Sequence, residues 1–391
     1  MSIAPVFFML ATLPCGVAIQ KFSLSIVFIW LLTKVKLITS VPKQLIFPVF
    51  VWLSLILAGA YNNSWQHAVK WAIGHSEWVI LPLLTYWTTY SPTREQRNKI
   101  KYILTAGMLL LALISISQAL MGWKLSGTTI VVSEHRARGF FSHPLTLAYS
   151  TLFLWPLSLS LYLRKRSFIH IIFAASTLIV LTLTMSRIIH ILTIGLSFFI
   201  VYQQAPTNGK KYIWISAPLF LIALFLIPNP IGDRLIQTVT VGIDRHSTFQ
   251  FDRIAFWKVH WNMFLDRPWL GHGTAMTNSY RIPWYEQIGL FNFRKPYPAH
   301  NMYLQMLVEG GVLTLLLFLG WIASVFGSIR NLQSSPLKSI YLLTWGAFLL
   351  GSLTQNTIQD SVVRLYLTLF LCSLVITGRA ENQTGTATTE V

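Results

Sequence analysis

The feature that most constrains this chain is a succession of long apolar stretches separated by short connections. They cover residues 3–19, 22–33, 45–60, 76–90, 102–121, 144–163, 168–185, 188–202, 212–227, 302–329, 340–351 and 361–377. Runs of this length are what a helix needs to cross a bilayer, where every backbone polar group must find its partner inside its own helix. Composition removes the alternatives. Of 391 residues, 54% are apolar and only 11% are charged, about half the charged share of a soluble domain. The pattern predicts an all-α, polytopic membrane protein with about 12 transmembrane helices. Residues 1–391 read as one integral membrane domain, with a disordered cytoplasmic tail over 378–391.

Lysines and arginines in the connections set the orientation. Lys34, Lys36 and Lys43 follow the second stretch, and Arg94, Arg97, Lys99 and Lys101 the fourth. Arg164, Lys165 and Arg166 follow the sixth, Lys210 and Lys211 the eighth, and Arg330 and Lys338 the tenth. Every second connection is therefore basic, which predicts cytoplasmic termini. The N-terminus lacks the basic start of a cleavable signal, so the first stretch is expected to remain. Cys15 and Cys372 both lie in apolar stretches, which excludes a disulfide framework.

A net charge of +18 is more than orientation requires. Arg136, Arg138, Arg187, Arg234, Arg245, Arg253, Arg267, Arg281, Arg294 and Arg364 all map to the outer side. Nucleic acid is not the expected partner, because these cations sit between spans and no soluble domain carries a groove. Guanidinium is the better bidentate partner for phosphate, so the set points to an external anionic substrate. For any single arginine, pairing with Asp233, Asp244, Asp252, Asp266 or lipid headgroups competes with that reading. The outer connection 228–300 is far longer than the others. It contains candidate amphipathic helices at 251–264 and 284–291 and a turn rich in breakers at 266–273.

Four constellations could carry chemistry. Thr184-Met185-Ser186-Arg187 places a cation between two spans with almost no loop around it. Pro298-Ala299-His300-Asn301 opens the longest stretch, with a histidine able to act as a base at neutral pH and an asparagine that can equally cap the helix. Glu309, about two turns on, is placed either to orient a charge or to hydrogen-bond another helix. Asp252-Arg253 precedes Trp257 by a helical turn, so Arg253 and Trp257 share a face. Arg136-Ala137-Arg138-Gly139-Phe140-Phe141-Ser142-His143-Pro144 brings two arginines and a histidine to the entry of a span. The outer histidines lack metal-ligand spacing, and no phosphate-binding glycine loop or serine nucleophile elbow occurs, so neither a metal nor another cofactor is expected.

These motifs resemble the O-antigen ligase and polymerase superfamily of bacterial inner-membrane glycosyltransferases. The resemblance is sharpest from Phe251 to Gly320. It rests on Phe251-Asp252-Arg253 with Trp257, Pro268-Trp269-Leu270-Gly271-His272-Gly273, Ala299-His300-Asn301-Met302-Tyr303-Leu304-Gln305 and Val308-Glu309-Gly310-Gly311. Arg138-Gly139-Phe140 through His143-Pro144, and Ser186-Arg187, are similar to its upstream motifs. The resemblance implies a GT-C-like membrane fold with one large periplasmic loop, here 228–300. It implies a glycan donor on undecaprenyl diphosphate, a lipid A–core acceptor and inverting, metal-independent transfer at the periplasmic face. It implies catalytic roles for Arg187, Arg253 and His300, with Arg136, Arg138, His143, Asn301 and Trp257 expected to bind substrate. A ligase is the expected activity and an O-antigen polymerase the alternative. A protein O-glycosyltransferase fits less well, since those relatives resemble longer chains with an added C-terminal portion, and an anionic-lipid transporter fits less well, since mid-span charges are scarce and no repeat is visible.

Overall fold

The computed structural model describes residues 4–13, 17–35, 41–62, 65–88, 92–122, 136–226, 232, 253–274, 276, 278–289 and 297–387. Among them all regular structure is helical. The helices are α1 (Ala4–Thr12), α2 (Val17–Leu32), α3 (Lys43–Asn62), α4 (Trp65–Gly74), α5 (Glu77–Trp87), α6 (Arg94–Met121), α7 (Pro144–Leu152) and α8 (Trp155–Lys165). They continue as α9 (Phe168–Leu183), α10 (Arg187–Gln204), α11 (Thr207–Leu226), α12 (Arg253–Asp266), α13 (Asn278–Glu286), α14 (Met302–Arg330), α15 (Ser335–Gly351) and α16 (Ser361–Ala387).

Among the described residues, five segments are long and apolar enough to cross a membrane: Lys43–Asn62, Arg94–Met121, Arg187–Gln204, Met302–Arg330 and Ser361–Glu381. α7 and α8, bent by 45° at a short break, add a sixth if they form one span. The chain is a helical membrane protein; about 12 spans exceeds what the described helices support by length and composition. The stretch at 76–90 folds as α5, only 11 residues long, and α9 has 16. Cys15, Lys36, Asp233, Arg234, Asp244, Arg245, Phe251, Asp252, Phe291, Arg294 and residues 388–391 lie outside the described residues. α12 begins at Arg253 where a helix over 251–264 was expected, and α13 starts before the expected 284–291 and overlaps it only over 284–286. α16 continues as helix past Gly378, where the sequence reading began a tail.

The chain packs as two compact units. One comprises Met1–Thr33, Ser91–Arg245 and Leu343–Phe348; the other comprises Lys34–Tyr90, His246–Leu342 and Leu349–Val391. In the first, α6 packs along α9, and α8 lies against α9 and α10. Thr93 and Gln96 close a capping box at the start of α6. Near its end, buried Gln118 reaches across to the segment before α7. Its Oε1 accepts the N–H groups of Arg138 (3.0 Å) and Gly139 (2.9 Å), and its Nε2 donates to the Gly139 carbonyl (2.9 Å). One side chain thus satisfies three backbone groups and fixes that segment.

In the second unit, α3 and α14 form the main helix pair and α5 lies along α16. Ser54 and Thr314 hydrogen-bond across the first pair at 2.9 Å. Arg364 of α16, only 1% exposed, donates through Nε to Glu77 Oε1 at 2.7 Å and through its other nitrogens to the carbonyls of Ile358 (2.6 Å) and Gly74 (3.0 Å). The sequence counted Arg364 among the outer cations available to a substrate. The structure corrects this: its partner Glu77 is distant in sequence, and a buried guanidinium needs such a partner. Arg267 is likewise engaged, by the Asn62 side chain and by Asp266 at 3.6 Å.

α14 breaks at Gly311, whose φ is 68° and ψ −168°. The break exposes backbone groups, and the 267–274 turn takes them up. His272 N–H donates to Val308 O at 2.7 Å, Gly273 N–H to Glu309 O at 2.9 Å, and Val312 N–H to Pro268 O at 2.8 Å. A Cβ on Gly311 would run into the Trp269 carbonyl, and one on Gly271 would lie 2.6 Å from Val308 O. The two glycine motifs are therefore the two halves of one docking contact. Gly311→Ala should lower the thermal unfolding midpoint in detergent, at a cost of about 3 kcal/mol from left-handed strain and overpacking. Gly327→Ala, on the same helix with open space around it, should change stability by under about 1 kcal/mol.

Candidate active-site residues

In the first unit, α9 and α10 are joined by Thr184-Met185-Ser186, with Met185 at φ 50°. The carbonyls freed at this turn are all engaged. Leu183 O accepts Ala137 N–H at 2.9 Å, Thr184 O accepts Arg136 Nε at 3.0 Å, and Thr182 O lies 3.1 Å from His190 Nε2. Arg187 is the first residue of α10. Arg136 and Arg187 are brought together: burial lowers the Arg136 pKa, and the Arg187 charge lowers it further. A cation at a helix N-terminus also opposes the helix dipole. Two mutually repelling guanidiniums at the positive end of a helix form a site that an anion stabilises.

Arg138 lies in the same segment and is buried, at 5% exposure, with its backbone held by Gln118. His143 is exposed and caps α7, its Nδ1 accepting Leu145 N–H at 3.1 Å. This cap was not foreseen, although a histidine directly before a proline at a helix start was a usable signal.

In the second unit, His300 sits at the entry of α14 with φ 47°, in the left-handed region. That conformation is costly for a residue with a Cβ and needs support. Support comes from both sides. Ala299 N–H donates to Gln305 Oε1 at 3.1 Å, and Met302 N–H to Ser352 O at 2.8 Å. Asn301 is the N-cap, its Oδ1 accepting Leu304 N–H at 3.0 Å, so the capping reading of Asn301 holds. The His300 ring lies near Phe256 and Tyr297, with centroids 5.9 and 6.0 Å away. Its Nδ1 is 2.9 Å from Gln355 Oε1. An amide oxygen only accepts, so Nδ1 carries the proton and Nε2 keeps the lone pair. Burial pulls the His300 pKa below 6.5, the Gln355 bond raises it in part, and the charge of Arg253 lowers it again. The ring is therefore a neutral base at pH 7.

Arg253, the first residue of α12, is half-buried and close enough for its charge to act on His300. Trp257, one turn further, packs against the apolar cluster of Phe256, Val259, Met263, Tyr285 and Val308. Glu309 is fully buried. Its Oε1 accepts from Gln305 Nε2 at 2.8 Å and from Gln359 Nε2 at 2.6 Å, the hydrogen-bonding role rather than a free charge. His272 serves the turn: Nε2 meets Met263 O and Nδ1 meets Tyr280 Oη, each at 2.6 Å. The sequence reading missed Gln355, Asn356 and Gln359. The signal available was three amides within five positions at the gap between the last two apolar stretches. Among the described residues no group of three His, Cys, Asp or Glu side chains is placed to hold a metal ion.

Residues 170–319 match the family model described as O-antigen ligase. The matched span contains Arg187, Arg253, His300 and Glu309, whereas Arg136, Arg138 and His143 precede it. The match bears out the resemblance carried by the sequence motifs. No curated protein matches the chain.

One consequence of burial here is a pH dependence. His260, 0% exposed, donates from Nδ1 to Phe256 O (2.8 Å), and burial is the main cause that lowers its pKa to about 3. Its folded value lies below the unfolded 6.5, so its contribution to stability is complete above 6.5 and is lost as pH falls toward 3. The unfolding midpoint in detergent should fall on acidification below 6.5. His260→Gln should remove part of that slope.

Proposed function

We propose that this chain, which carries the O-antigen ligase match over residues 170–319, moves a glycan from undecaprenyl diphosphate to a sugar of lipid A–core. The reaction takes place at the periplasmic face of the bacterial inner membrane. His300 Nε2 takes the proton of the acceptor hydroxyl as its oxygen attacks the anomeric carbon of the donor. The bond from that carbon to the diphosphate oxygen breaks with inversion, and the electron pair leaves with the diphosphate. The resemblance assigns Arg187 and Arg253 to the charge that develops there, and Arg136 lies beside Arg187. Arg138, His143, Asn301 and Trp257 are assigned to substrate binding. The arginines replace a metal in this scheme.

The observation that carries the reading is the state of His300. It is held in a strained backbone conformation, its Nδ1 is engaged by Gln355, and its lone pair is left on Nε2 at neutral pH. Strain of this kind concentrates where geometry matters more than stability. A cationic pair at the start of α10 supports the leaving-group assignment.

The test is complementation of a deletion strain, read on a lipopolysaccharide gel together with the undecaprenyl-linked glycan pool. A ligase predicts core without O-antigen and an accumulated polymer on undecaprenyl diphosphate. Core carrying one repeat unit would reassign the chain as a polymerase. An unchanged pattern would refute both. In purified form, His300→Ala should slow transfer by about 10²–10⁴, and Arg187→Ala by about 10²–10³. Wild-type turnover in either variant would remove that residue from its role.

A further inference from the structure

The segment from Ser352 to Asp360 joins α15 to α16 and lies against the first turns of α14. It is tied down along its length. Ser352 Oγ and Thr357 Oγ1 are 2.7 Å apart, and Ser352 O accepts Met302 N–H at 2.8 Å. Asn356 Nδ2 donates to Gln305 Oε1 at 3.1 Å, and Gln359 Nε2 to Glu309 Oε1 at 2.6 Å. Arg364 holds the Ile358 carbonyl at 2.6 Å. Gln355 sits in the middle of this fixed segment. Phe256 and Tyr297 confine the plane of the His300 ring, but the polar contact to that ring comes from Gln355 Oε1.

We propose that Gln355 is a positioning residue for glycosyl transfer: its side-chain oxygen fixes the tautomer and orientation of His300, so that Nε2 is the atom that takes the acceptor proton. The proposal rests on the reading of His300 as the base. A neutral imidazole has two tautomers, and the one present follows from the hydrogen bond at the other nitrogen. The Gln305–Glu309–Gln359–Asn356 network keeps Gln355 from following a ring that rotates. An uncharged acceptor also suits the task. It selects the tautomer without the large rise in basicity that a carboxylate at Nδ1 would impose. Other titratable groups facing the ring are Arg253 and His260 from α12 and Tyr297 from the segment before α14.

The experiment is the pH–rate profile of the full-length protein in nanodiscs, with a lipid-linked glycan donor and lipid A–core as acceptor. Gln355→Leu should lower kcat by about 10-fold or more with little change in KM, because the productive tautomer is no longer selected. It should also move the acid limb of kcat to lower pH. Gln355→Glu still accepts from Nδ1 and should retain turnover above its acid limb, with that limb shifted to higher pH. A Gln355→Leu enzyme with wild-type kcat and an unmoved limb would overturn the proposal. So would a loss confined to KM, or a Gln355→Glu profile superimposed on the wild type. Comparing Gln355→Glu with Gln355→Leu at equal unfolding midpoints separates positioning from folding. His300→Ala separates the two ideas. If it stays active, the base reading fails. If it is inactive while both Gln355 variants behave as wild type, only the positioning role fails.

Discussion

A backbone group without a partner cannot persist inside a bilayer, and much of the second unit follows from that requirement. α14 gives up its regular ladder at Gly311, and the 267–274 turn restores the missing bonds through the amides of His272 and Gly273 and the carbonyl of Pro268. The absence of a Cβ at Gly271 and Gly311 lets two backbones meet at hydrogen-bonding distance. His272, held at both ring nitrogens, keeps the turn in place. The first turns of α14 between His300 and the break are thereby anchored, and Gln305 and Glu309 point from them into the buried amide network.

The first unit solves a related problem at the α9–α10 junction. There the freed carbonyls are met by Arg136, the Ala137 amide and His190. Arg136 is thus both a structural donor, through Nε, and half of a cationic pair with Arg187. Its two functions are separable in principle, because a lysine could keep the charge while losing the directed Nε bond.

Elements with a one-dimensional signature were legible in the sequence. Apolar length gave the helical membrane class, the Asn301 cap and the turn at 266–273 followed from local residue chemistry, and the motif set pointed to the family later matched over 170–319. What was not legible depends on pairing across long separations. Arg364 was counted with the outer cations, and its partner Glu77, 287 residues away, was not foreseen. Gln118 shows no pattern that announces its grip on Gly139. Apolar runs did not announce helix length, since a run of suitable composition can fold as a short helix such as α5. Gln355 stood out only as one of three clustered amides; its importance comes from a histidine 55 positions earlier.

The left-handed backbone at His300 has an evolutionary consequence. Glycine or asparagine would tolerate that φ better than histidine does, so the residue retained there is not the one the backbone favours. On the proposed role of His300, replacement by glycine or asparagine would abolish activity while relaxing the backbone. Drift alone would therefore tend to erase the histidine, and its persistence in a lineage would itself register continued use of the site.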